Sequence, residues 1–221
     1  MPGVFGLCYS LGVAKNGAKL LAAWAGGAIF VALSGAVALG WLYEADLWVL
    51  RTVRENLSDS LLAALESFSL PGGLEVAGAA LLVLLAALFV RGRRVLAGWL
   101  LAVFVVTGIL ELMMKLHVPQ APIPQESVQT EDFAPFVAAS LPYSYPSGHM
   151  VRGVILLGAL YLLSGNRFFR AGIFVMVLGL AASWVYMGVH WATDVVGGTL
   201  LGLAALLWVF GKEDRRRWRS P

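Results

Sequence analysis

Long apolar stretches, separated by polar segments of very different length, dominate this sequence. Six of them approach or exceed the roughly 20 residues that an α-helix needs to cross a bilayer. They cover residues 20–43, 72–90, 95–114, 148–163, 171–189 and 195–210. The pattern predicts an all-α fold, an integral membrane bundle of six transmembrane helices. We expect residues 1–221 to form a single membrane domain whose core is 72–210.

The segment between the first two apolar stretches, residues 44–70, has a different pattern. Charged side chains alternate there with leucines and valines at helical spacing; they include Arg51, Arg54, Glu55, Asp59 and Glu66. Such a mixture is typical of an amphipathic helix that lies on a membrane surface, and we predict an interfacial helix here. An ordinary loop helix fits the same pattern equally well.

The composition supports a membrane protein. Hydrophobic residues make up 59% of the chain and charged residues only 13%, with a mean hydropathy of +0.79. A soluble domain of this size has too little interior for so much apolar surface. We therefore expect membrane lipids, and no nucleic acid, as partners. The single cysteine, Cys8, permits no internal disulfide, and the sequence leaves the oligomeric state open.

The distribution of basic residues predicts the orientation of the bundle. In a six-span arrangement, four groups fall on one side: Lys15 and Lys19, Arg91 to Arg94, Arg167 and Arg170, and Lys212 to Arg219. The long loop 116–146, on the opposite side, has no lysine or arginine. Basic loops stay in the cytoplasm, so both termini are predicted to be cytoplasmic. Arg51 and Arg54 are the exceptions to this asymmetry.

Candidate anion-binding residues collect at the predicted extracytoplasmic ends of the helices. Lys115 ends the third apolar stretch, and Ser147, Gly148 and His149 begin the fourth. A helix N-terminus presents unpaired N–H groups and a positive dipole end, both of which attract anions. Gly148 allows a ligand to approach the backbone closely. The hydroxyl of Ser147 can cap the helix or bind a phosphate oxygen.

A possible nucleophile lies at a second helix border on the same side. His190 and Asp194 are four residues apart, so their side chains meet on one helical face. A carboxylate bonded to one imidazole nitrogen makes the other a better nucleophile or base. With His149 as the general acid, this pair predicts phosphoryl transfer through a phosphohistidine. Each of these residues, taken singly, also fits a structural role as an interfacial residue or a helix cap.

Taken together, these residues resemble the three signature motifs of the type 2 phosphatidic acid phosphatase family. The family motifs are lysine, six residues and Arg-Pro; then Pro-Ser-Gly-His; then Ser-Arg, five residues, histidine, three residues and aspartate. The matching residues here are Lys115, the run from Pro146 to His149, and Ser183, His190 and Asp194. The likeness covers approximately residues 72–210.

Two arginines of the family motifs are replaced in this chain. Trp184 follows Ser183, and Pro122 and Ile123 stand where the first motif has Arg-Pro. Arginine suits a phosphate clamp because its planar fork makes two charge-assisted hydrogen bonds. Losing both arginines therefore weakens the expected phosphate site.

Arg152 is a candidate to compensate for the missing arginines. It lies three residues after His149, on the same helical face. A charge inside a membrane span is costly unless it is paired or faces a polar cavity. Arg152 therefore either contacts the phosphate or pairs with Glu111 and holds two helices together.

The resemblance implies a membrane lipid phosphatase that needs no metal or other cofactor. In this interpretation the phosphate is transferred to His190, Asp194 supports that histidine, and His149 protonates the leaving group. The substrate, a lipid phosphate or diphosphate, is bound by Lys115, Ser147, Gly148, Arg152 and Ser183. The active site faces the extracytoplasmic side of the cell membrane.

Three other interpretations stay open. The missing arginines favour a catalytically impaired relative that binds or moves a lipid phosphate. His149, His190 and Asp194 also form a set that can ligate zinc or iron. Finally, the phosphoryl group could pass to another lipid rather than to water. The sequence does not distinguish among these, nor does it identify the lipid.

Overall fold

The protein is all-helical, as predicted, throughout the residues that the structure describes. The computed structural model describes residues 3–56, 68, 70–124 and 141–219. Within these ranges it contains seven α-helices and one 3-10 helix, and no strand. The helices are α1 (Gly3–Ala38), α2 (Tyr43–Asn56), the 3-10 helix Leu70–Gly72, α3 (Leu74–Val90), α4 (Arg94–His117), α5 (Gly148–Leu163), α6 (Arg167–Tyr186) and α7 (Ala192–Arg219).

Helices α5 and α7 form the centre of the bundle. Nine of the 16 residues of α5 are buried, and its neighbours are α3, α4, α6 and α7. Helix α7 packs against α1, α2, α4, α5 and α6. A helix that is apolar on every side is expected in such a central position. The polar N-terminal ends of α5 and α7 are consequently brought together.

Glycines on α7 allow α5 to approach it closely. A Cβ atom on Gly198 would overlap the carbonyl oxygen of Ser147, and one on Gly202 would lie 3.0 Å from Val154. Small residues are the usual means by which helices of a membrane bundle come into close contact. Here they bring the start of α5 against the first turns of α7.

Each predicted apolar stretch corresponds to a helix. Four helical segments are long and apolar enough to cross a membrane: Gly17–Ala38, Arg94–His117, Arg167–Tyr186 and Ala192–Asp214. Two more, Leu74–Val90 and Gly148–Leu163, are apolar but shorter. The lengths and composition thus support an integral membrane protein, while the count of six spans remains a prediction.

Helix α6 begins at Arg167, earlier than the predicted start at residue 171. The side chain of Asn166 caps it, because its Oδ1 accepts hydrogen bonds from the N–H groups of Phe168 (2.9 Å) and Phe169 (3.3 Å). Such a cap satisfies donors that a helix start otherwise leaves unpaired. The helix therefore extends into the basic segment.

The predicted interfacial segment 44–70 is described only in part. Helix α2 covers its first half and packs against α6 and α7, while residues 57–67 and 69 lie outside the described residues. Asp46 and Leu50 are buried against the bundle, whereas Trp48 is exposed. This two-sided pattern fits an amphipathic helix. Its position at a membrane surface remains a prediction.

Candidate active site

The N-terminus of α5 is fixed by two hydrogen bonds of Ser147. Its hydroxyl accepts a bond from the N–H of Met150 at 3.5 Å, so Ser147 is the N-cap residue of the helix. Its own N–H donates to the carbonyl oxygen of Asp194 at 3.0 Å. The second bond joins the Pro-Ser-Gly-His run directly to the first turn of α7. Ser147 is completely buried.

A glycine in the left-handed conformation places His190. Helix α6 ends at Tyr186, and Gly188 follows with a φ of 67°. That value costs a glycine little, which is why glycine so often terminates helices. The chain then folds back, and the N–H of His190 donates to the carbonyl oxygen of Trp184 at 3.2 Å. The imidazole is thereby held beside the last turn of α6.

Asp194 is the most extensively bonded side chain of the site. Its Oδ2 lies 3.2 Å from Nδ1 of His190, as the four-residue spacing predicted. Oδ2 also accepts hydrogen bonds from Ser144 Oγ (2.7 Å) and from the N–H of Trp191 (3.1 Å). Oδ1 accepts a bond from Nε2 of Gln120 at 2.7 Å. A fully buried carboxylate that accepts several hydrogen bonds is held in one position.

Gln120 and Ser144 were not identified from the sequence. They lie 74 and 50 residues from Asp194 along the chain, and both belong to irregular segments without a periodic pattern. Ser144 also lies 2.8 Å from Oε1 of Gln120. The only sequence signal was their location near Lys115 and the Pro-Ser-Gly-His run.

The two imidazoles that the sequence singled out lie close together. Their ring centroids are 5.9 Å apart, with the ring planes inclined by 63°. Trp184, in the last turn of α6, stacks its indole on the imidazole of His149, with ring centroids 3.8 Å apart and planes inclined by 28°. Trp184 and His190 are 5.7 Å apart in an edge-on arrangement. The three rings thus form one cluster.

Two buried ring nitrogens of this cluster have no partner among the described residues. They are Nδ1 of His149 and Nε1 of Trp184. Buried polar atoms are nearly always hydrogen-bonded in folded proteins. An unpaired donor or acceptor beside a second histidine is therefore a candidate contact for a polar ligand.

Lys115 and Arg152 share one carboxylate next to the start of α5. The Nζ of Lys115 lies 2.9 Å from Oε1 of Glu111, and Nη1 of Arg152 lies 2.8 Å from Oε2. Nε of Arg152 donates to the carbonyl oxygen of Gly72 at 3.2 Å. The pairing of Arg152 with Glu111 that the sequence suggested as one possibility is therefore present. Both cations nevertheless lie beside Gly148 and His149.

Ser183 bonds within its own helix, and Pro122 and Ile123, which replace Arg-Pro of the first family motif, lie in an irregular segment. The hydroxyl of Ser183 is buried and donates to the carbonyl oxygen of Leu180 in its own helix at 2.8 Å. Pro122 and Ile123 lie in the irregular segment after α4. Within the described residues, no group of three or more histidine, cysteine, aspartate or glutamate side chains is arranged to hold a metal ion.

Two groups that frame the site have raised pKa values. Burial raises the pKa of the Tyr145 hydroxyl to about 12, with the Ser34 hydrogen bond opposing and the charge of Asp194 adding to the effect. Burial also raises the pKa of Asp46, although two hydrogen bonds from Thr193 partly offset it. Those bonds run from the Thr193 N–H (2.9 Å) and Oγ1 (2.6 Å). Asp46 thus anchors α2 to the N-terminus of α7.

Known proteins share both sequence and fold with this chain. Phosphatidylglycerophosphatase B of Bacillus subtilis is 36% identical over 101 residues, 40% of this chain and 48% of that protein. Undecaprenyl-diphosphatase of Sulfolobus acidocaldarius is 47% identical over 62 residues, 27% of this chain and 29% of that protein. These matches span less than half the length of each relative.

A solved structure extends the likeness over nearly the whole chain. The crystal structure of a transmembrane PAP2 type phosphatidylglycerolphosphate phosphatase from Bacillus subtilis superposes with a TM-score of 0.69. The match covers 87% of this chain and 96% of that one, at 23% identity, and it shows that the fold is shared. The PAP2 superfamily matches residues 94–218. Because that range is more than half of the chain and contains every motif residue discussed above, the protein belongs to the PAP2 superfamily.

Proposed function

We propose that this protein is a membrane lipid phosphatase that hydrolyses a lipid phosphate or diphosphate through a phosphohistidine. The observation that carries the proposal is the pair of imidazoles 5.9 Å apart, one of them bonded to the buried carboxylate of Asp194. Similar proteins named phosphatidylglycerophosphatase B and undecaprenyl-diphosphatase support the substrate class.

In the first step, Nε2 of His190 attacks the phosphorus atom, and the bond from phosphorus to the lipid oxygen breaks. A proton on Nδ1 of His190 is held by Asp194, 3.2 Å away, which stabilises the imidazolium-like character that develops. His149 donates its proton to the departing oxygen, so the lipid leaves as a neutral alcohol or a protonated phosphate. The lysine and arginine beside Gly148 attract the negative phosphoryl oxygens.

In the second step, water attacks the phosphohistidine. His149, now deprotonated, takes a proton from that water, and the bond from phosphorus to Nε2 of His190 breaks. Inorganic phosphate and the starting form of both histidines result. The same pocket would serve transfer to a second lipid if an alcohol replaced water, so the acceptor is an outcome that product analysis decides.

We place the site on the extracytoplasmic side of a six-span bundle. The basic residues in the N-terminal half of α1, at the connection between α3 and α4, in the first turn of α6 and at the end of α7 favour cytoplasmic termini. The ends of α4 and α6 and the starts of α5 and α7 then open on the other side. A lipid in the outer leaflet can reach such a position without crossing the membrane.

A second candidate function is binding or movement of a lipid phosphate without hydrolysis. The observation that favours it is the stacking of Trp184 on His149, at the position where the family resemblance leads us to expect a phosphate-binding arginine. This alternative predicts a site that binds phosphate but does not release it from a lipid.

Phosphate release from purified protein in detergent distinguishes these functions. The panel includes phosphatidylglycerophosphate, undecaprenyl diphosphate and phosphatidic acid, with His190→Ala as the inactive control and a chelator in a parallel series. Hydrolysis by the parent alone, unaffected by chelator, supports the proposal. Rapid alkaline quenching of the active protein then yields an alkali-stable, acid-labile phosphoenzyme that His190→Ala lacks. Binding without turnover on any lipid favours the second function.

A further inference from the structure

The carboxylate of Glu111 lies between the two cations that the proposed phosphate site depends on. Its Oε1 lies 2.9 Å from Nζ of Lys115, and its Oε2 lies 2.8 Å from Nη1 of Arg152. Glu111 is only 7% exposed, so water screens these pairs weakly. Each cation thus already has an anionic partner that belongs to the protein.

The same carboxylate rests directly against the first residue of α5. A Cβ atom on Gly148 would overlap all three atoms of the Glu111 carboxyl group. The absence of a side chain at residue 148 is therefore what allows the carboxylate to lie there. Unpaired N–H groups and the positive dipole end of a helix make this an attractive position for an anion.

A substrate phosphate needs the same surroundings as this carboxylate. Both groups present oxygen atoms that accept charge-assisted hydrogen bonds from lysine, arginine and backbone N–H groups. A phosphate that bonds to the same N–H groups of Lys115 and Arg152 must displace the Glu111 carboxylate from them.

We propose that Glu111 is a specificity-determining residue that competes with the substrate phosphate for Lys115, Arg152 and the N-terminus of α5. The inference rests on the proposed function, because it assumes that the phosphate binds there. Phosphate binding moves the carboxylate away from Gly148, and the affinity of the site for phosphate is lowered by the interactions that Glu111 gives up. Only a ligand with enough negative charge and enough further contacts replaces it.

A purely positioning role for Glu111 predicts the opposite effect. If the carboxylate only orients Lys115 and Arg152, its removal lets both side chains move and weakens phosphate binding. The sign of the change in affinity therefore separates the two roles.

The decisive variant is Glu111→Gln, which keeps the size of the side chain and removes its charge. We expect orthovanadate and inorganic phosphate to bind about tenfold more tightly, the change that corresponds to loss of one charge-assisted interaction from the competitor. The KM for a lipid phosphate falls in parallel, while kcat does not rise. The matched control is Asp214→Asn, which removes a negative charge that pairs with Lys19 and lies 20 residues after Asp194, towards the other end of α7. It should leave vanadate affinity unchanged.

Thermal unfolding supplies a readout that does not need turnover. Glu111→Gln leaves two partly buried cations without their shared partner, so its melting temperature falls in phosphate-free buffer. Added phosphate then raises the melting temperature of Glu111→Gln by several degrees more than that of the parent, since it replaces the missing anion.

A second variant keeps the test usable if Glu111→Gln fails to fold. Glu111→Asp preserves the charge but shortens the side chain by one methylene, which withdraws the carboxylate from Gly148. It too should bind vanadate more tightly than the parent. Unchanged or weaker vanadate binding in the folded variants overturns the inference. In that case, hydrolysis of a lipid phosphate by the parent and not by His190→Ala would show that the proposed function survives.

The opposite pair of results also distinguishes the two proposals. If no lipid is hydrolysed, but phosphate stabilises Glu111→Gln more than the parent, the proposed catalysis fails and the competition stands. If no lipid is hydrolysed and phosphate and vanadate affect neither protein, both are overturned.

Discussion

The indole ring of Trp184 lies nearly flat on the imidazole of His149, with ring centroids 3.8 Å apart and planes inclined by 28°. Trp184 is also part of a buried cluster with Met150, Val154 and Leu180. It therefore joins the proposed general acid to the apolar interior of the bundle. The side chain that departs from the family motif is thus built into the packing.

This stacking predicts different results for two substitutions of Trp184. Trp184→Phe keeps an aromatic face against His149 and should retain stability and turnover close to those of the parent. Trp184→Ala opens a cavity and should lower the free energy of unfolding by about 3–5 kcal/mol, and kcat should fall because His149 loses its support. Chemical denaturation and lipid phosphate hydrolysis measure both effects. Equal stability of the two variants would show that the ring contact is unimportant.

The bond between His190 and Asp194 predicts the effect of Asp194→Asn. An amide has a single acceptor oxygen, so it cannot accept from Gln120 at one position and from Ser144 and the Trp191 N–H at the other as the carboxylate does, and it favours the wrong imidazole tautomer. We expect kcat to fall by about 10⁴, as in other triads of this type, with little change in KM. Asp46→Asn is the matched control, because Asp46 binds the adjacent Thr193 without contacting His190. A similar loss in both variants would point to general destabilisation.

Gln120 is expected to act on catalysis through Asp194. Its Nε2 donates to Oδ1 of Asp194 at 2.7 Å, and Gln120→Leu leaves that buried oxygen without a donor. An unsatisfied buried acceptor costs about 1–3 kcal/mol. Gln120→Glu adds a like charge beside Asp194 and should lower kcat more than Gln120→Leu does. Steady-state kinetics test this order, which a merely structural role of Gln120 would not produce.

The raised pKa of the Tyr145 hydroxyl predicts a loss of stability at alkaline pH. Its pKa is raised to about 12 in the folded protein, mainly by burial, whereas an unfolded tyrosine ionises near its ordinary value of about 10. The contribution of a raised pKa to stability is fully present at pH values below the pKa of the unfolded state. It is lost as the pH rises from about 10 towards 12. Tyr145→Phe should show a shallower fall of melting temperature over this range. Identical pH profiles of parent and variant would contradict the role assigned to this hydroxyl.

Much of the site followed from local spacing. The four-residue interval between His190 and Asp194 predicted their contact, which the structure contains, although His190 lies in the turn before α7 begins at Ala192. The Pro-Ser-Gly-His run likewise predicted a capped helix start at Ser147, which the structure contains. The spacing from Glu111 to Lys115 and the charge of Arg152 indicated a possible ion pair. The contact of Glu111 with Lys115 and the cap at Ser147 are short-range relationships, whereas the pairing of Arg152 with Glu111 joins two helices and depends on their packing.

The sequence by itself determined that the protein is a helical membrane bundle with two histidines at helix ends, since apolar length and helical periodicity are properties of each segment alone. Only the tertiary structure decided which side chains meet. The support of Asp194 by Gln120, the ring of Trp184 on His149 and the carboxylate of Glu111 against Gly148 all join separate segments. Such contacts depend on the packing of α4, α5, α6 and α7 at distances of a few ångströms, which no spacing along the chain specifies.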